Sequence, residues 1–540
     1  MGDDQEPSVT TMPSVTVPSN PFTGEFKKHV ETTLEAWNCP GMSISVIDDD
    51  EIFSESFGHA VLPDTKATND TLWYNGSCTK AHTGALLAKM IDSKTQYPTL
   101  ADKGWSTTMA SVIRDDFVLQ DDWATNHATV EDASCHNTGM GRHDIALLKE
   151  VTLPDGTTRA ATQRDHVRQM RHLNMGDEPR RRFIYSNHMY MALSHAVETV
   201  AGKQLGDALR EHIWHPLGMK STFLGNEEAE AGSDTIATGY SWDSEKKVYE
   251  PLPSETVKGF CGTGGVISTV SDAAKWLRCL LNKGEPLSTA VHADIRKPRI
   301  IISPMTANGS DITTYGLGWQ RTVYKGHVLY SHSGATMTHG CEMFWLPDFK
   351  FGFVAAGNAH RVSNCSSRSL AYRLIDEKIG VPVGERKDFS ALLRSEEDTY
   401  KAVKDTAMEV LFPNLGDTPM SCPIKTGELT GAYRDAGYGT MVFTEVSHPE
   451  AEKAQRGDTI LEAVRRDAFV PLRIRLVPAT GLHWLACMKP IDLDEDAMSA
   501  TLRAEFKVGI DGKTEALEVD FTNPMLGIED GKVLFKKIQQ

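Results

Sequence analysis

Apolar residues recur at helical spacing along much of the chain. Over residues 24–37 and 189–200 they fall on one helix face, so both segments predict amphipathic helices. Residues 78–91 are apolar on most faces, which predicts a helix that is buried all round. Residues 272–281 and 366–378 predict further helices.

Strand patterns appear between these helices at two places. Residues 42–46 alternate between apolar side chains and serines, and an acidic turn separates them from a second apolar segment at 52–57. Over residues 326–358 three more apolar segments follow one another, and the last two predict a hairpin. These segments predict the strands of a sheet.

The C-terminal part of the chain has a different pattern. Residues 394–411 predict a connecting helix, and after it strand-like segments alternate with Gly, Pro and charged turns. We therefore expect four parts: a flexible arm over 1–21, a large domain over 22–385, a connecting helix and linker over 386–418, and an all-β module, a sandwich or a barrel, over 419–540.

Composition narrows the class of protein. At 540 residues the chain is too long for one ordinary core, and 40% apolar with 24% charged residues is a globular balance. The formal net charge of −17 argues against a nucleic-acid partner, because such proteins carry basic surfaces. The sequence has no apolar run long enough for a membrane helix, so we expect no membrane partner.

The N-terminus and the cysteines bear on the compartment. Residues 1–21 have neither a basic start nor an apolar core, unlike a secretory signal. Gly2 would suit myristoylation, but Glu6 stands where that motif needs Ser or Thr. Nine scattered cysteines without a C-x-x-C pair are typical of reduced thiols. We expect a cytoplasmic protein.

Ser77 and Lys80 are the first candidate catalytic residues. They lie three apart at the start of the buried helix, so they share a face and the amine can reach the hydroxyl. Burial disfavours the charged form of a lysine, and a neutral amine can take the serine proton. A second Ser-x-x-Lys, Ser244 to Lys247, lies in a polar segment, and we interpret it as surface.

Two further segments carry candidate site residues. Tyr185 precedes a predicted helix; a tyrosine near a lysine ammonium ionises more easily, and Asn187 can hold a substrate amide or the lysine. His332 and Gly334 lie on a predicted strand, where glycine lets a ligand lie close and the N–H of Ala335 can point at an oxyanion. Taken singly, each of these residues is more often structural.

These motifs, in this order, resemble a known family. In this chain Ser77-x-x-Lys80, Tyr185-x-Asn187 and His332-x-Gly334 look like the three motifs of the serine β-lactamase and penicillin-binding-protein superfamily. The second motif here has a tyrosine, and in this it resembles the second motif of the class C β-lactamases and their relatives, which include esterases, D-aminopeptidases and acyltransferases.

The flanking segments agree with this resemblance. Residues 136–140 are similar to the family's H-x-S-G-L turn, and residues 262–269 to its glycine-rich lead-in to a strand. The likeness covers roughly residues 22–385. The all-β module resembles the lipocalin-like domains attached to some members, and it could cap the cleft, mediate dimerisation or only stabilise the chain.

The resemblance carries implications for fold and mechanism. It implies an α/β (α+β) fold, in which an antiparallel sheet is flanked by helices and accompanied by a helical subdomain. It also implies two-step acyl transfer. Ser77 attacks the carbonyl, Lys80 and Tyr185 move the proton, and the N–H groups of Ser77 and Ala335 hold the oxyanion. This mechanism needs neither a metal nor a cofactor.

The third motif departs from the family pattern. It is often Lys-Thr-Gly, and histidine at position 332 removes the permanent cation that recognises the substrate carboxylate in true β-lactamases. A literal Lys425-Thr426-Gly427 lies past the connecting helix, in the all-β module, and we reject it for this role. We therefore expect an esterase or amidase rather than an antibiotic-degrading enzyme.

Other functions compete with a serine hydrolase. A zinc hydrolase would need H-E-x-x-H and an α/β-hydrolase G-x-S-x-G, and the sequence has neither. An acyltransferase would use the same acyl-enzyme, and a catalytically silent binding or scaffold protein would keep only the fold. The retention of Ser77, Lys80 and Tyr185 favours an enzyme. We expect a small-molecule acyl substrate (an ester, lactone or amide) and leave homo-oligomer formation open.

Overall fold

A nine-stranded antiparallel sheet and a closed eight-stranded barrel dominate the computed structural model within the residues that it describes: 20–153, 155–232, 235–255, 257–416, 418–447, 459–493, 500–523 and 528–538. The strands of the sheet are β1 (Gly41–Asp48), β2 (Glu51–Val61), β3 (Thr65–Lys66), β4 (Ile300–Ser303), β5 (Thr313–Tyr315), β6 (Gln320–Tyr324), β7 (His327–Ala335), β8 (Gly340–Leu346) and β9 (Phe351–Gly357). Their order is β4-β5-β6-β7-β8-β9-β1-β2-β3.

The central strands of the sheet are covered on both faces. All residues of β1, β8 and β9 are buried. Met42, Ile44 and Val46 share one apolar cluster with the helices Gly24–Ala36 and Val362–Lys378. Side chains from the opposite face pack instead in the larger cluster. The predicted antiparallel sheet flanked by helices is therefore confirmed.

The predicted helices are present with small shifts at their ends. The longer helices are Gly24–Ala36, Thr79–Asp92, Gln163–Gln169, Asn187–Ala201, Asn226–Gly232, Val270–Asn282, Thr289–Arg296, Val362–Lys378 and Phe389–Asp405. The shorter helices are Pro98–Ala101, Met109–Val112, Asp122–His127, Val130–Ser134, Leu205–Leu209, Cys261–Gly264, Ala407–Leu411 and Thr426–Leu429. The prediction of one continuous helix over 394–411 was wrong, because Thr406 leaves the helical region of backbone space (φ −104°, ψ 20°) and separates two helices.

The helix Thr79–Asp92 occupies the centre of the helical layer. Its residues from Thr79 to Ala88, together with Met90, are all buried, as the apolar pattern predicted. It contacts the helices Asn187–Ala201, Cys261–Gly264 and Thr289–Arg296. A residue in its first turn is therefore held by several elements at once.

The C-terminal strands form a barrel rather than a sandwich. They are β10 (Gly431–Asp435), β11 (Gly439–Ser447), β12 (Thr459–Arg465), β13 (Leu472–Thr480), β14 (His483–Pro490), β15 (Ala500–Val508), β16 (Thr514–Asn523) and β17 (Ile528–Lys537). The first strand pairs with the last, Tyr433 opposite Lys537, so the sheet closes on itself. Closure pairs the strand edges that an open sheet would expose.

The barrel contacts the larger part of the chain that precedes it, through both backbone and side chains. The N–H of Lys149 donates to the carbonyl of Asp467 (2.7 Å), and the N–H of Phe469 donates to the carbonyl of Leu147 (2.8 Å). The ring of Phe469 also stacks on Phe260, with centroids 4.6 Å apart. The segment 147–149 is thus paired with a loop of the barrel.

Within the described ranges, no helix is both long enough and apolar enough to cross a membrane.

A buried ion pair beside the sheet allows a test of its energetics. Glu342 on β8 is 1% exposed and accepts hydrogen bonds from Arg368 Nη2 (2.8 Å) and Asn364 Nδ2 (3.1 Å). Burial raises the pKa of its carboxyl. We predict that Arg368→Met lowers the free energy of unfolding by about 3 kcal/mol, because it leaves a buried carboxylate without its cation.

The pH dependence of this loss has a definite sign. With its folded-state pKa raised, Glu342 binds a proton more readily in the folded chain than in the unfolded one, so the loss is larger at pH 8 than at pH 5. Urea titrations at both pH values measure it. Arg114→Met, which removes an exposed arginine bonded to Asn126, is the control and should change stability little. An equal loss in the two variants would contradict the prediction.

Candidate active site

Ser77 lies in a tight turn that leads into the buried helix. The turn Gly76–Cys78 runs directly into Thr79–Asp92, and Gly76 adopts a left-handed conformation (φ 49°). A Cβ at position 76 would lie 2.7 Å from the backbone nitrogen of Ala335, so glycine is needed there. The half-buried Ser77 is thereby held next to the end of β7.

Lys80 is fully buried one helical turn beyond the serine. Its Nζ lies 3.0 Å from Ser77 Oγ, 2.9 Å from Asn187 Oδ1 and 2.9 Å from the carbonyl oxygen of Thr263. Burial lowers the pKa of the amine well below its ordinary value. Since the two oxygens of Asn187 and Thr263 can only accept, they fix two N–H groups and leave the remaining tetrahedral position of nitrogen facing the serine.

Tyr185 stands on the other side of the serine. Its hydroxyl donates to Ser77 Oγ (2.8 Å), and Lys80 Nζ lies 4.9 Å from the centre of its ring. The ring packs against His136, with centroids 4.3 Å apart, and His136 Nδ1 accepts from the N–H of Ser186 (3.1 Å). Burial raises the pKa of the Tyr185 hydroxyl, although its hydrogen bond to Ser77 and the nearby Arg142 act in the opposite direction. The protonated hydroxyl is consistent with its role as hydrogen-bond donor to Ser77.

Asn187 connects the lysine to a second layer of charged side chains. While its Oδ1 accepts from Lys80, its Nδ2 donates to Asp144 Oδ1 (2.7 Å). The other carboxylate oxygen of Asp144 accepts from Arg142 Nε (2.6 Å). This pairing fixes which way the Asn187 amide points, so its oxygen rather than its nitrogen faces the lysine.

His332 is placed behind the serine rather than open to the cleft. Its Nδ1 donates to the carbonyl of Ser333 (2.7 Å), and Tyr315 donates to its Nε2 (2.9 Å). Burial lowers the pKa of His332 to about 3, so the ring is neutral. Both ring nitrogens are therefore hydrogen-bonded inside the protein, and the side chain is 3% exposed.

Gly334 and Ala335 complete the wall beside the serine. A Cβ at position 334 would lie 1.9 Å from the carbonyl oxygen of Asn75, a distance that no side chain can occupy. Asn364 Nδ2 donates to the carbonyl of Gly334 (3.0 Å) and holds the strand end in place. The backbones of Ser77 and Ala335 consequently run side by side.

Three components of the site were not predicted as such. The sequence indicated a turn near residues 262–265, but not that the Thr263 carbonyl would hold the lysine amine. Asp144 and Arg142 follow the turn at 136–140, and their chain position next to that family-like turn was the available signal. Cys78, next to the serine, is fully buried, its Sγ donates to the His332 carbonyl (3.3 Å), and burial raises the pKa of its thiol well above the ordinary value.

A barrel residue holds the loop that carries Arg142 and Asp144. Asp530, on β17 and 3% exposed, accepts the backbone N–H of Arg142 (2.6 Å) and of His143 (2.9 Å). His143 is in the left-handed region (φ 47°), and its Nδ1 is hydrogen-bonded to the hydroxyl of Tyr438, a second barrel residue, at 2.7 Å. The loop conformation therefore depends on the barrel.

No group of three or more His, Cys, Asp or Glu side chains among the described residues is arranged to hold a metal ion.

Comparison with known proteins gives matches along most of the chain. A family model described as Beta-lactamase matches residues 26–370. An unguisins hydrolase from Aspergillus campestris is 33% identical over 521 residues, which is 96% of this chain and 92% of that protein. A D-aminopeptidase from Brucella anthropi is 22% identical over 366 residues, which is 67% of this chain and 62% of that protein.

A solved structure matches the chain at the level of the fold. The octameric penicillin-binding protein homologue from Pyrococcus abyssi aligns with a TM-score of 0.57 at 18% sequence identity, covering 95% of this chain and 99% of that one. At this identity the match shows a shared arrangement of elements.

The barrel contact yields a testable prediction. Asp530→Asn keeps the volume but has one acceptor oxygen for two N–H groups, so the loop carrying Asp144 should shift. We predict that labelling of Ser77 by a fluorophosphonate slows by about ten-fold or more, because small displacements in such a site are costly. Asp511→Asn, at an exposed turn of the barrel, is the matched control. Equal labelling rates in both variants would show that the loop does not need this anchor.

Proposed function

The chain belongs to the beta-lactamase family, and from this membership we propose that it is a serine hydrolase that cleaves an ester or amide through an acyl-enzyme on Ser77. The observation that carries the proposal is the position of Ser77 Oγ, 3.0 Å from the Lys80 amine and 2.8 Å from the Tyr185 hydroxyl. A proton acceptor and a proton donor thus contact one nucleophile.

Lys80 is the base that activates the serine. As a neutral amine it donates to Asn187 Oδ1 and to the Thr263 carbonyl, and its lone pair faces the hydroxyl of Ser77. As Oγ bonds to the substrate carbonyl carbon, the hydroxyl proton passes to Nζ. The carbonyl π electrons move onto oxygen, and a tetrahedral oxyanion forms.

The backbone N–H groups of Ser77 and Ala335 hold that oxyanion. The close approach of the two backbones around Gly76 and Gly334 supports this assignment. In enzymes where one such donor was removed, the transition state lost about 3 kcal/mol of stabilisation.

Tyr185 protonates the leaving group. Its hydroxyl is kept protonated by burial, so it can give its proton to the leaving nitrogen or oxygen as the carbon–heteroatom bond breaks. The protonated Lys80 then returns a proton to the Tyr185 phenolate. In deacylation, Lys80 takes a proton from water as the water oxygen bonds to the acyl carbon. The bond between this carbon and Oγ then breaks, Oγ takes up a proton from the Lys80–Tyr185 pair, and the acid product and free Ser77 are released.

The substrate class follows from the relatives and from His332. The unguisins hydrolase supports unguisins as the first compounds to assay, and the D-aminopeptidase supports an amide bond. The neutral His332 offers no cation for a substrate carboxylate, which supports an esterase or amidase over an antibiotic-degrading enzyme.

Trapping of the acyl-enzyme tests the nucleophile. We predict that intact mass spectrometry finds one fluorophosphonate adduct in the wild-type protein and none in Ser77→Ala, because Ser77 is the activated hydroxyl. Ser244→Ala, in the second Ser-x-x-Lys, is the control and should label like wild type. Labelling that persists in Ser77→Ala, with no turnover of esters, amides or unguisins by the wild type, would refute the proposal.

The pH dependence of acylation tests the base. Because the neutral form of Lys80 is active and its pKa is depressed, acylation should be lost as pH falls and should reach its plateau well below pH 10.5. Lys80→Arg keeps a charge at all working pH values and should lower the rate by about a hundred-fold or more. Lys247→Arg serves as the control. Stopped-flow measurement of p-nitrophenolate release gives the profile; an ascending limb centred near pH 10.5 would contradict the role of Lys80.

A further inference from the structure

Arg142 places a guanidinium group over the catalytic tyrosine. Its Cζ lies 5.3 Å from the centre of the Tyr185 ring, and its Nε donates to Asp144 (2.6 Å). In the part of the chain that the structure describes, its two terminal Nη atoms donate to no partner. About a third of the side chain is exposed to solvent (34%).

The surrounding structure fixes this side chain. Asp530 accepts the backbone N–H of Arg142, Asp144 holds its Nε, and the Tyr185 ring supports its plane. Gly141 permits the approach, since a Cβ there would lie 2.9 Å from Asp530 Oδ1 and 2.5 Å from His143 Nε2. An arginine ordered on this many sides loses little side-chain entropy when it binds a ligand.

Arg142 differs in its charge state from the other basic side chains around the serine. Burial drives Lys80 and His332 toward their neutral forms. Asp144 instead raises the pKa of Arg142, which stays a cation. Of the two basic side chains over the Tyr185 ring, Arg142 is thus the one that keeps its charge.

We propose that Arg142 is a substrate-binding residue whose free Nη groups donate to an oxygen on the acyl part of the substrate, either an amide carbonyl or a carboxylate. The proposal depends on the function proposed above. There the leaving group is protonated at the Tyr185 hydroxyl, whereas Arg142 lies over the face of the ring. An oxygen that reaches Arg142 therefore belongs to the acyl part.

The paired N–H groups of a guanidinium suit such oxygens. They present parallel donors that match a carboxylate or a carbonyl lone pair, and a single ammonium does not reproduce that geometry. Arg142 then provides the permanent cation that the third motif lacks because position 332 is a histidine. It does so from a different loop. Substrates with a second oxygen in the acyl part should consequently be preferred over simple alkyl acyl groups.

Three p-nitrophenyl esters test this preference. Their acyl groups are similar in length: butyryl has no second oxygen, N-acetylglycyl carries an amide carbonyl, and succinyl carries a carboxylate. We expect Arg142→Gln to lower kcat/KM for an oxygen-bearing ester, relative to the butyryl ester, by about ten-fold, the usual weight of a charge-assisted hydrogen bond. Loss with the N-acetylglycyl ester identifies a carbonyl ligand, and loss with the succinyl ester identifies a carboxylate.

Two further variants separate binding from structure. Arg142→Lys keeps the charge but loses the paired donors, so it should recover part of the preference. Arg114→Gln, an exposed arginine bonded to Asn126, should leave all three rates as in wild type. If Arg142→Gln lowers all three rates by the same factor, or none, the binding role is overturned. If the wild-type protein turns over none of the esters and Ser77 takes no label, the proposed function fails instead.

Discussion

The burial of one amine governs the arrangement of the whole site. An amine placed in the apolar centre of the helical layer is strongly destabilised in its charged form unless its N–H groups are bonded. Lys80 meets this demand with the Asn187 side chain and the Thr263 carbonyl, and these belong to two separate elements. The requirement to solvate this amine therefore draws three segments of the chain together around Ser77.

A second group of side chains orients the residues that contact Lys80. Asp144 decides the orientation of the Asn187 amide and also ties down Arg142. The loop that carries both is shaped by Asp530 of the barrel. The helical layer and the barrel thus share one hydrogen-bonded network, and one apolar cluster also extends through both.

Local sequence rules predicted part of this and could not predict the rest. The Ser77–Lys80 contact follows from a three-residue spacing on a helix, and the alternation over 326–358 located the strand of His332. The Thr263 carbonyl could not be predicted, since a backbone oxygen carries no side-chain signature. Asp530 lies 388 residues from its partner Arg142 and is one of many acidic residues. The burial that raises the pKa of Tyr185 could not be predicted either, because it depends on tertiary packing.

The hydrogen bonds between the 141–144 loop and β17 also bear on the order of events during synthesis of the chain. Synthesis proceeds from the N-terminus, and N-terminal parts of a chain generally fold first. Ser77 and the 141–144 loop are made before Asp530, which lies 388 residues after Arg142. During translation the loop therefore exists for a time without the two hydrogen bonds that it donates to Asp530. On this order of synthesis, the orientation of Asn187 is completed only when β17 folds against the loop.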